Sequence, residues 1–251
     1  RPSALIQPEC YNTKLWQGPA TETASLDVLK MNFARQYAGG YASWWFDMWG
    51  GWFEAPGIMR SMKEFYHKMK SALLQDDRTS IAECAAWLDE TSFAKVDSPV
   101  SCCRAGCIAI GQSGIPCDFY ELSDFNEAHG KYKMMLFFVP ARTAALEQAE
   151  RVCRQGGIPF LEFVSEREPT AEEVRKTAKL NHLHCWTGGG DAIYASRDLV
   201  GIHAASGGKK RIFLPKKMSY RPMGSAEKWQ TGAVIELEMK RTQTALFDLK
   251  K

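Results

Sequence analysis

Long apolar runs and a strong net charge are both absent from this sequence. No stretch reaches the roughly 18 consecutive apolar residues that a membrane-spanning helix needs, so no membrane segment is predicted. The formal net charge is only +3, from 32 basic and 29 acidic residues. This weak excess argues against a nucleic-acid partner. Basic residues cluster only at 208–211 and 216–217, where turns between strands account for them.

A complete set of zinc ligands is also absent from the sequence. The chain has eight cysteines but no Cys-x-x-Cys pair, and the cluster Cys102, Cys103 and Cys107 has no nearby histidine to complete a tetrahedral site. We therefore expect no metal and no cofactor, and we interpret these cysteines as small buried apolar residues. Cysteines scattered singly through apolar segments favour reduced thiols, and hence a reducing compartment such as the cytoplasm.

Residues 1–75 carry two successions of strand, loop and helix. Strands are predicted at 3–7 and 41–46. The first helix is expected to begin with Ser25 as its N-cap, and apolar residues at helical spacing predict the second between 58 and 73. Two βα units cannot close a sheet, so both strands need partners from other polypeptide. The sequence also starts abruptly in an apolar segment without Met, and we expect it to be the C-terminal part of a longer protein.

The rest of the chain has two further patterns. Residues 76–186 alternate between strands and helices, which indicates a small doubly wound α/β domain. Its strands are predicted at 81–88, 117–122, 132–139 and 158–164, and its helices at 99–113, 141–155 and 169–180. Residues 187–251 are typical of a small antiparallel β domain. Its strands are predicted at 192–196, 199–204, 211–214, 218–221, 233–239 and 244–249.

The segment 42–53 holds four of the eight tryptophans. The first two are expected to pack in a core, whereas Asp47, Trp49 and Trp52 lie around a Gly-Gly hinge. Aromatic rings just past a strand end suit a ligand-facing loop. Flat rings beside a carboxylate are typical of a sugar site, because a ring offers an apolar face and the acid binds hydroxyls. For Trp49 and Trp52, packing in a core is the alternative.

Glu9 directly follows the first predicted strand, and Trp16 lies in the loop behind it. Enzymes with a (β/α)₈ barrel keep their sites just past the carboxyl ends of the strands. Glycoside hydrolysis needs two carboxylates that flank the scissile bond, and Glu9 could be one of them. A solvated loop glutamate is the alternative.

At these residues the chain resembles glycoside hydrolase family 42, the β-galactosidase family. In that family a nucleophilic glutamate ends the seventh barrel strand and a tryptophan follows, as Glu9 and Trp16 do here. The loop after the eighth strand resembles 44–53. Segments 81–93, 114–124 and 132–140 resemble the family's middle domain, and 191–195 and 200–205 resemble its last domain.

The resemblance implies an α/β multidomain fold. Residues 1–75 would be the last two βα units of a (β/α)₈ barrel. Residues 76–186 would be a flavodoxin-like domain, akin to class I amidotransferases and used for trimerisation, and 187–251 the antiparallel β domain. The resemblance implies a carbohydrate substrate, a homo-oligomer that is a trimer by analogy with this family, and an acid/base glutamate that lies outside this chain with the first six barrel strands. Residues 1–75 are expected to pack against the missing N-terminal barrel segment or another chain.

The same resemblance implies a role for each candidate residue. Glu9 would be the catalytic nucleophile, Asp47 would bind sugar hydroxyls, and the tryptophans at 16, 49 and 52 would form the sugar platform. In some relatives Gln7 is the position that aligns with the nucleophile. The opposing hypothesis is a non-catalytic scaffold or oligomerisation module.

Amidotransferase activity is a second enzymatic hypothesis. It needs a cysteine on a tight strand-to-helix turn, but Cys84, Cys117 and Cys153 are predicted in strands or a helix. His182 and His184 are expected to alternate along a strand near Cys185, with a packing or hydrogen-bonding role. The pair 126–127 reads Asn-Glu like an acid/base motif, but it is expected in a turn and is rejected.

Overall fold

The computed structural model describes residues 21–42, 54–74, 79–95, 99–164 and 169–250. Its helices are α1 (Glu22–Ala38), α2 (Pro56–Leu73), α3 (Glu90–Phe93), α4 (Pro99–Ser113), α5 (Phe125–Ala128), α6 (Ala144–Gly156) and α7 (Ala171–Leu180). Its strands are β1 (Cys84–Leu88), β2 (Cys117–Glu121), β3 (Met134–Phe138), β4 (Phe160–Phe163), β5 (Ala192–Ala195), β6 (Leu199–His203), β7 (Gly208–Pro222), β8 (Gln230–Met239) and β9 (Thr244–Lys250).

Strands β1 to β4 form a parallel sheet in the order β2-β1-β3-β4. All five residues of β3 are buried, as expected for a strand covered on both faces. Alternate residues serve the two faces. Leu136 and Phe138 pack with α4 and α7, whereas Met135 and Phe137 pack with α5 and α6. The prediction of a parallel sheet with helices is confirmed.

Local chemistry sets the helix ends. Thr170 caps α7 with a full capping box, because its hydroxyl accepts from the Glu173 amide while the Glu173 carboxylate accepts from the Thr170 amide. Gly157 ends α6 with a φ of 64°, a left-handed conformation that favours glycine. The predicted cap of α1 is wrong. Thr21 is the N-cap, and Ser25 lies buried within the first turns.

Strands β5 to β9 form a separate antiparallel sheet in the order β5-β6-β9-β7-β8. The strands predicted at 211–214 and 218–221 are one continuous strand, β7. Its pairing with β8 shifts register between Phe213 and Met218. Pro215 lies in this interval and has no amide hydrogen to donate, which interrupts the ladder while the backbone stays extended.

Helices α1 and α2 pack on the antiparallel sheet. Leu29 and Phe33 of α1 are fully buried in one core cluster with Leu199 of β6 and Leu246 of β9. Gly201 permits this close approach, because a Cβ there would lie 3.0 Å from the Cβ of Ala34. The division at 75/76 falls outside the described residues, and the proposed domain boundaries stay predictions.

Two smaller predictions are corrected by the structure. The strand expected around His182 is absent from this described segment, because His182 has a φ of 60° and lies in a turn after α7. The Asn-Glu pair at 126–127 lies in the short helix α5 instead of a turn. Of the predicted strand 41–46, Tyr41 and Ala42 have no regular structure, and the remainder lies outside the described residues.

Candidate functional site

The predicted site residues themselves lie outside the described residues. This applies to Glu9, Trp16, Asp47, Trp49 and Trp52 alike. Their roles therefore stay predictions. The structure does describe the two helices into which the candidate segments lead, since α1 follows residues 1–20 and α2 follows 43–53 in the chain.

Helices α1 and α2 lie side by side and run in the same direction. At their amino-terminal ends, the Gly57 amide donates to Oε1 of Glu22 over 2.9 Å. Half-way along, the rings of Phe33 and Phe65 stack with centroids 4.3 Å apart. A Cβ on residue 57 would collide with the Glu22 carboxylate, so a larger residue there would require the Glu22 side chain to shift.

An ion-pair cluster holds the carboxyl-terminal half of this helix pair to the antiparallel sheet. Nζ of Lys68 in α2 lies 2.8 Å from Asp198 Oδ2 and 3.0 Å from Asp248 Oδ1. The Tyr37 hydroxyl in α1 donates to the same Asp198 oxygen over 2.7 Å. Sequence reasoning missed this cluster, because its members are far apart along the chain, with 161 positions between Tyr37 and Asp198 alone.

The cluster keeps Asp198 ionised. Burial raises the pKa of Asp198, but hydrogen bonds from Lys68 and Tyr37 outweigh burial and bring the pKa below its ordinary value. Ser196 adds a further hydrogen bond to the other carboxylate oxygen over 3.0 Å. These polar groups are therefore all engaged with one another, and the cluster acts as a structural anchor for α2.

The carboxyl end of the parallel sheet carries a second buried carboxylate. Asp89 follows β1 and accepts from the Thr91 amide at 3.0 Å and from the Thr143 hydroxyl at 2.5 Å. Burial raises its pKa, but these hydrogen bonds outweigh burial and lower it overall. Asp89 thereby joins α3 to the start of α6. This edge is where ligands bind in open α/β sheets, but here Asp89 is committed to structural hydrogen bonds.

The described cysteines are poor nucleophiles. Cys84 lies inside β1, Cys117 opens β2, and Cys153 lies in α6. Burial raises the pKa of Cys153 to about 11 and that of Cys117 well above its ordinary value. A thiol with a raised pKa is rarely the reactive thiolate. This environment does not favour an amidotransferase nucleophile.

His184, which lies next to Cys185 in the chain, forms two hydrogen bonds. His184 donates its backbone amide to Glu83 over 2.8 Å, and its Nε2 lies 2.8 Å from the Phe213 carbonyl oxygen. The hydrogen-bonding role predicted for His184 is confirmed.

Within the described ranges, no group of three or more His, Cys, Asp or Glu side chains is placed to hold a metal ion. None of the helices described is long and apolar enough to cross a membrane.

Comparison with known proteins gives a fold similarity. No protein-family model and no curated protein matches the sequence. The structure is similar to a β-galactosidase from Bacillus circulans sp. alkalophilus, with a TM-score of 0.52 and 10% identity over 78% of this chain and 45% of that one. It is also similar to Gan42B, a GH42 β-galactosidase from G. stearothermophilus, seen as a catalytic mutant, with a TM-score of 0.51 and 8% identity over 78% of this chain and 44% of that one.

The chain spans less than half the length of these two β-galactosidases. At such low identity the similarity concerns the fold alone, and it supports an α/β multidomain fold of the GH42 type. Function has to be argued from the site.

Proposed function

We propose that this chain is the C-terminal portion of a glycoside hydrolase of the β-galactosidase type. The observation that carries the proposal is the contact between Gly57 and Glu22, which brings the amino-terminal ends of α1 and α2 together. Both candidate segments precede these ends in the chain. In (β/α)₈ enzymes such segments form the catalytic face.

The proposed chemistry uses two carboxylates. Glu9 acts as the nucleophile that attacks the anomeric carbon, Asp47 binds sugar hydroxyls, and Trp16, Trp49 and Trp52 form an apolar platform under the sugar ring. The second carboxylate donates a proton to the leaving oxygen and comes from polypeptide that packs against this chain. A covalent glycosyl-enzyme intermediate and retention of configuration follow from this arrangement.

The surface of α2 supports such a packing partner. Met59, Tyr66 and Leu73 recur every seven residues on this helix and are 52%, 57% and 73% exposed. The neighbouring positions Ile58, Phe65 and Ala72 are buried in the core described above. The apolar face of α2 is therefore wider than the part that the described residues cover, which is unusual for an isolated surface helix.

Steady-state kinetics of the complete protein on an aryl β-galactoside test this proposal. Glu9→Gln keeps the side-chain shape but removes the nucleophile, so turnover should fall by several orders of magnitude with the fold intact. Trp49→Ala is the matched binding variant and should weaken sugar binding by roughly 1–3 kcal/mol through loss of a stacked ring. Near-normal turnover of Glu9→Gln would sink the nucleophile assignment and turn attention to Gln7 or Asp47.

The alternative function is a non-catalytic scaffold or oligomerisation module. It is favoured by the parallel sheet, where Asp89 is fully engaged and burial raises the pKa values of the Cys117 and Cys153 thiols. An inactive complete protein that still assembles would favour this alternative.

A further inference from the structure

A cleft of about 320 Å³ lies between the two sheets. Its apolar walls come from both sides. Ile115 and Leu183 belong to the core of the parallel sheet, and Trp186 and Met218 belong to the core of the antiparallel sheet. Its volume is at the lower end of the roughly 300–1,000 Å³ typical of small-molecule sites, which commonly lie at such boundaries.

The walls of the cleft are held by backbone hydrogen bonds. The Trp186 amide donates to the Gly114 carbonyl over 2.8 Å, and the Trp186 carbonyl accepts from the Phe213 amide over 2.7 Å. The His184 ring lies edge-on to Trp186, with centroids 5.3 Å apart. Because these walls are already held in place, a ligand that enters the cleft would immobilise few further protein groups. Little conformational entropy is then lost on binding.

Charged side chains also line the cleft. Arg197 and Lys216 are cationic lining residues, and Glu83 is the one acidic residue among them. The Glu83 carboxylate is already compensated, because it forms an ion pair with Lys133 and accepts from the His184 amide. A negative group on a ligand thus meets the ammonium group of Lys216, while the Glu83 carboxylate is already paired with Lys133.

We propose that this cleft binds a small apolar molecule that carries one anionic group, such as a medium-chain or aromatic carboxylate. The apolar part lies against Trp186 and Met218, and the anion lies at the mouth beside Lys216. This site is independent of the glycosidase proposal, since it uses none of the candidate sugar-binding residues.

Calorimetric titration of the full chain with octanoate, and with 1-octanol as the uncharged control, tests the proposal. Octanoate should bind at one site per chain. Met218→Trp and Ile81→Trp each add bulk to the lining of the cleft, and each should weaken binding at least tenfold while circular dichroism shows an unchanged fold. Lys216→Ala should weaken octanoate binding roughly fivefold and leave octanol binding unchanged.

Lys217→Ala is the matched control, because Lys217 is exposed in the same part of β7 but does not line the cleft. It should leave both titrations unchanged. The proposal is overturned if octanoate shows no saturable binding, or if a correctly folded filling variant binds octanoate as tightly as the wild type. Equal effects of Lys216→Ala and Lys217→Ala would overturn the anionic part of the assignment.

Discussion

The ammonium group of Lys68 lies 2.8 Å from the carboxylate of Asp198, and this pair joins α2 to the turn between β5 and β6. The helix that follows the tryptophan-rich segment is therefore fixed to the last sheet of the chain, and the intervening parallel sheet does not mediate the contact. The same carboxylate oxygen accepts from Tyr37 of α1, so both helices share one anchor. The anchor therefore fixes the carboxyl-terminal halves of both helices to the antiparallel sheet.

The first prediction concerns the anchor itself. Lys68→Met leaves the carboxylates of Asp198 and Asp248 half-buried without their shared cation. We expect the free energy of unfolding, measured by urea denaturation, to fall by about 2 kcal/mol. Lys63→Met on the exposed side of the same helix is the control and should change it by less than about 0.5 kcal/mol. Equal effects of the two substitutions would contradict the anchor.

The second prediction concerns pH. The folded protein lowers the pKa of Asp198 below its ordinary value of 3.8, because hydrogen bonds from Lys68 and Tyr37 outweigh the opposing effect of burial. The stabilisation is therefore fully present above pH 3.8 and is lost as the pH falls through the folded pKa. The stability difference between wild type and Lys68→Met should be large at about pH 7 and should shrink at about pH 2.5. A difference that does not change with pH would rule out this linkage.

The third prediction separates the two halves of the apolar face of α2. Phe65 is buried and stacked on Phe33, so Phe65→Ala should cost about 3–5 kcal/mol of unfolding free energy. Tyr66→Ala should cost less than about 0.5 kcal/mol in this chain alone, because Tyr66 is exposed. In the complete protein the same Tyr66→Ala change should cost roughly 1–3 kcal/mol, because the proposed partner buries the ring. Urea denaturation of both forms measures this, and identical costs would argue against a covering segment.

The fourth prediction concerns assembly. If residues 76–186 serve to associate subunits, the complete protein is an oligomer, and the family resemblance implies a trimer. Light scattering over a range of micromolar concentrations should give three times the subunit mass. A monomer throughout this range would contradict the proposed role.

Much of the secondary structure could be predicted because its signals are local. Five successive apolar residues predict β3, the helical spacing of apolar residues predicts α2, and Gly157 marks the end of α6. The alternation of these elements is enough to predict a parallel sheet with helices and a separate antiparallel sheet. The errors are also local in origin. Ser25 and Thr21 are both good N-caps by residue type, but it is the Thr21 hydroxyl that accepts from the Ala24 amide at the start of the helix.

Long-range contacts have no comparable signal in the chain. Nothing adjacent to Lys68 shows that its partners are Asp198 and Asp248, and nothing near Gly57 shows that it meets Glu22. The candidate sugar-binding residues can be proposed from their types and their positions after predicted strands, because the sequence shows directly which residues carry carboxylates and aromatic rings. Whether two segments face each other depends on how the helices that follow them pack. That packing is set by burial and charge pairing between residues far apart in the chain, and only the folded structure brings those residues together.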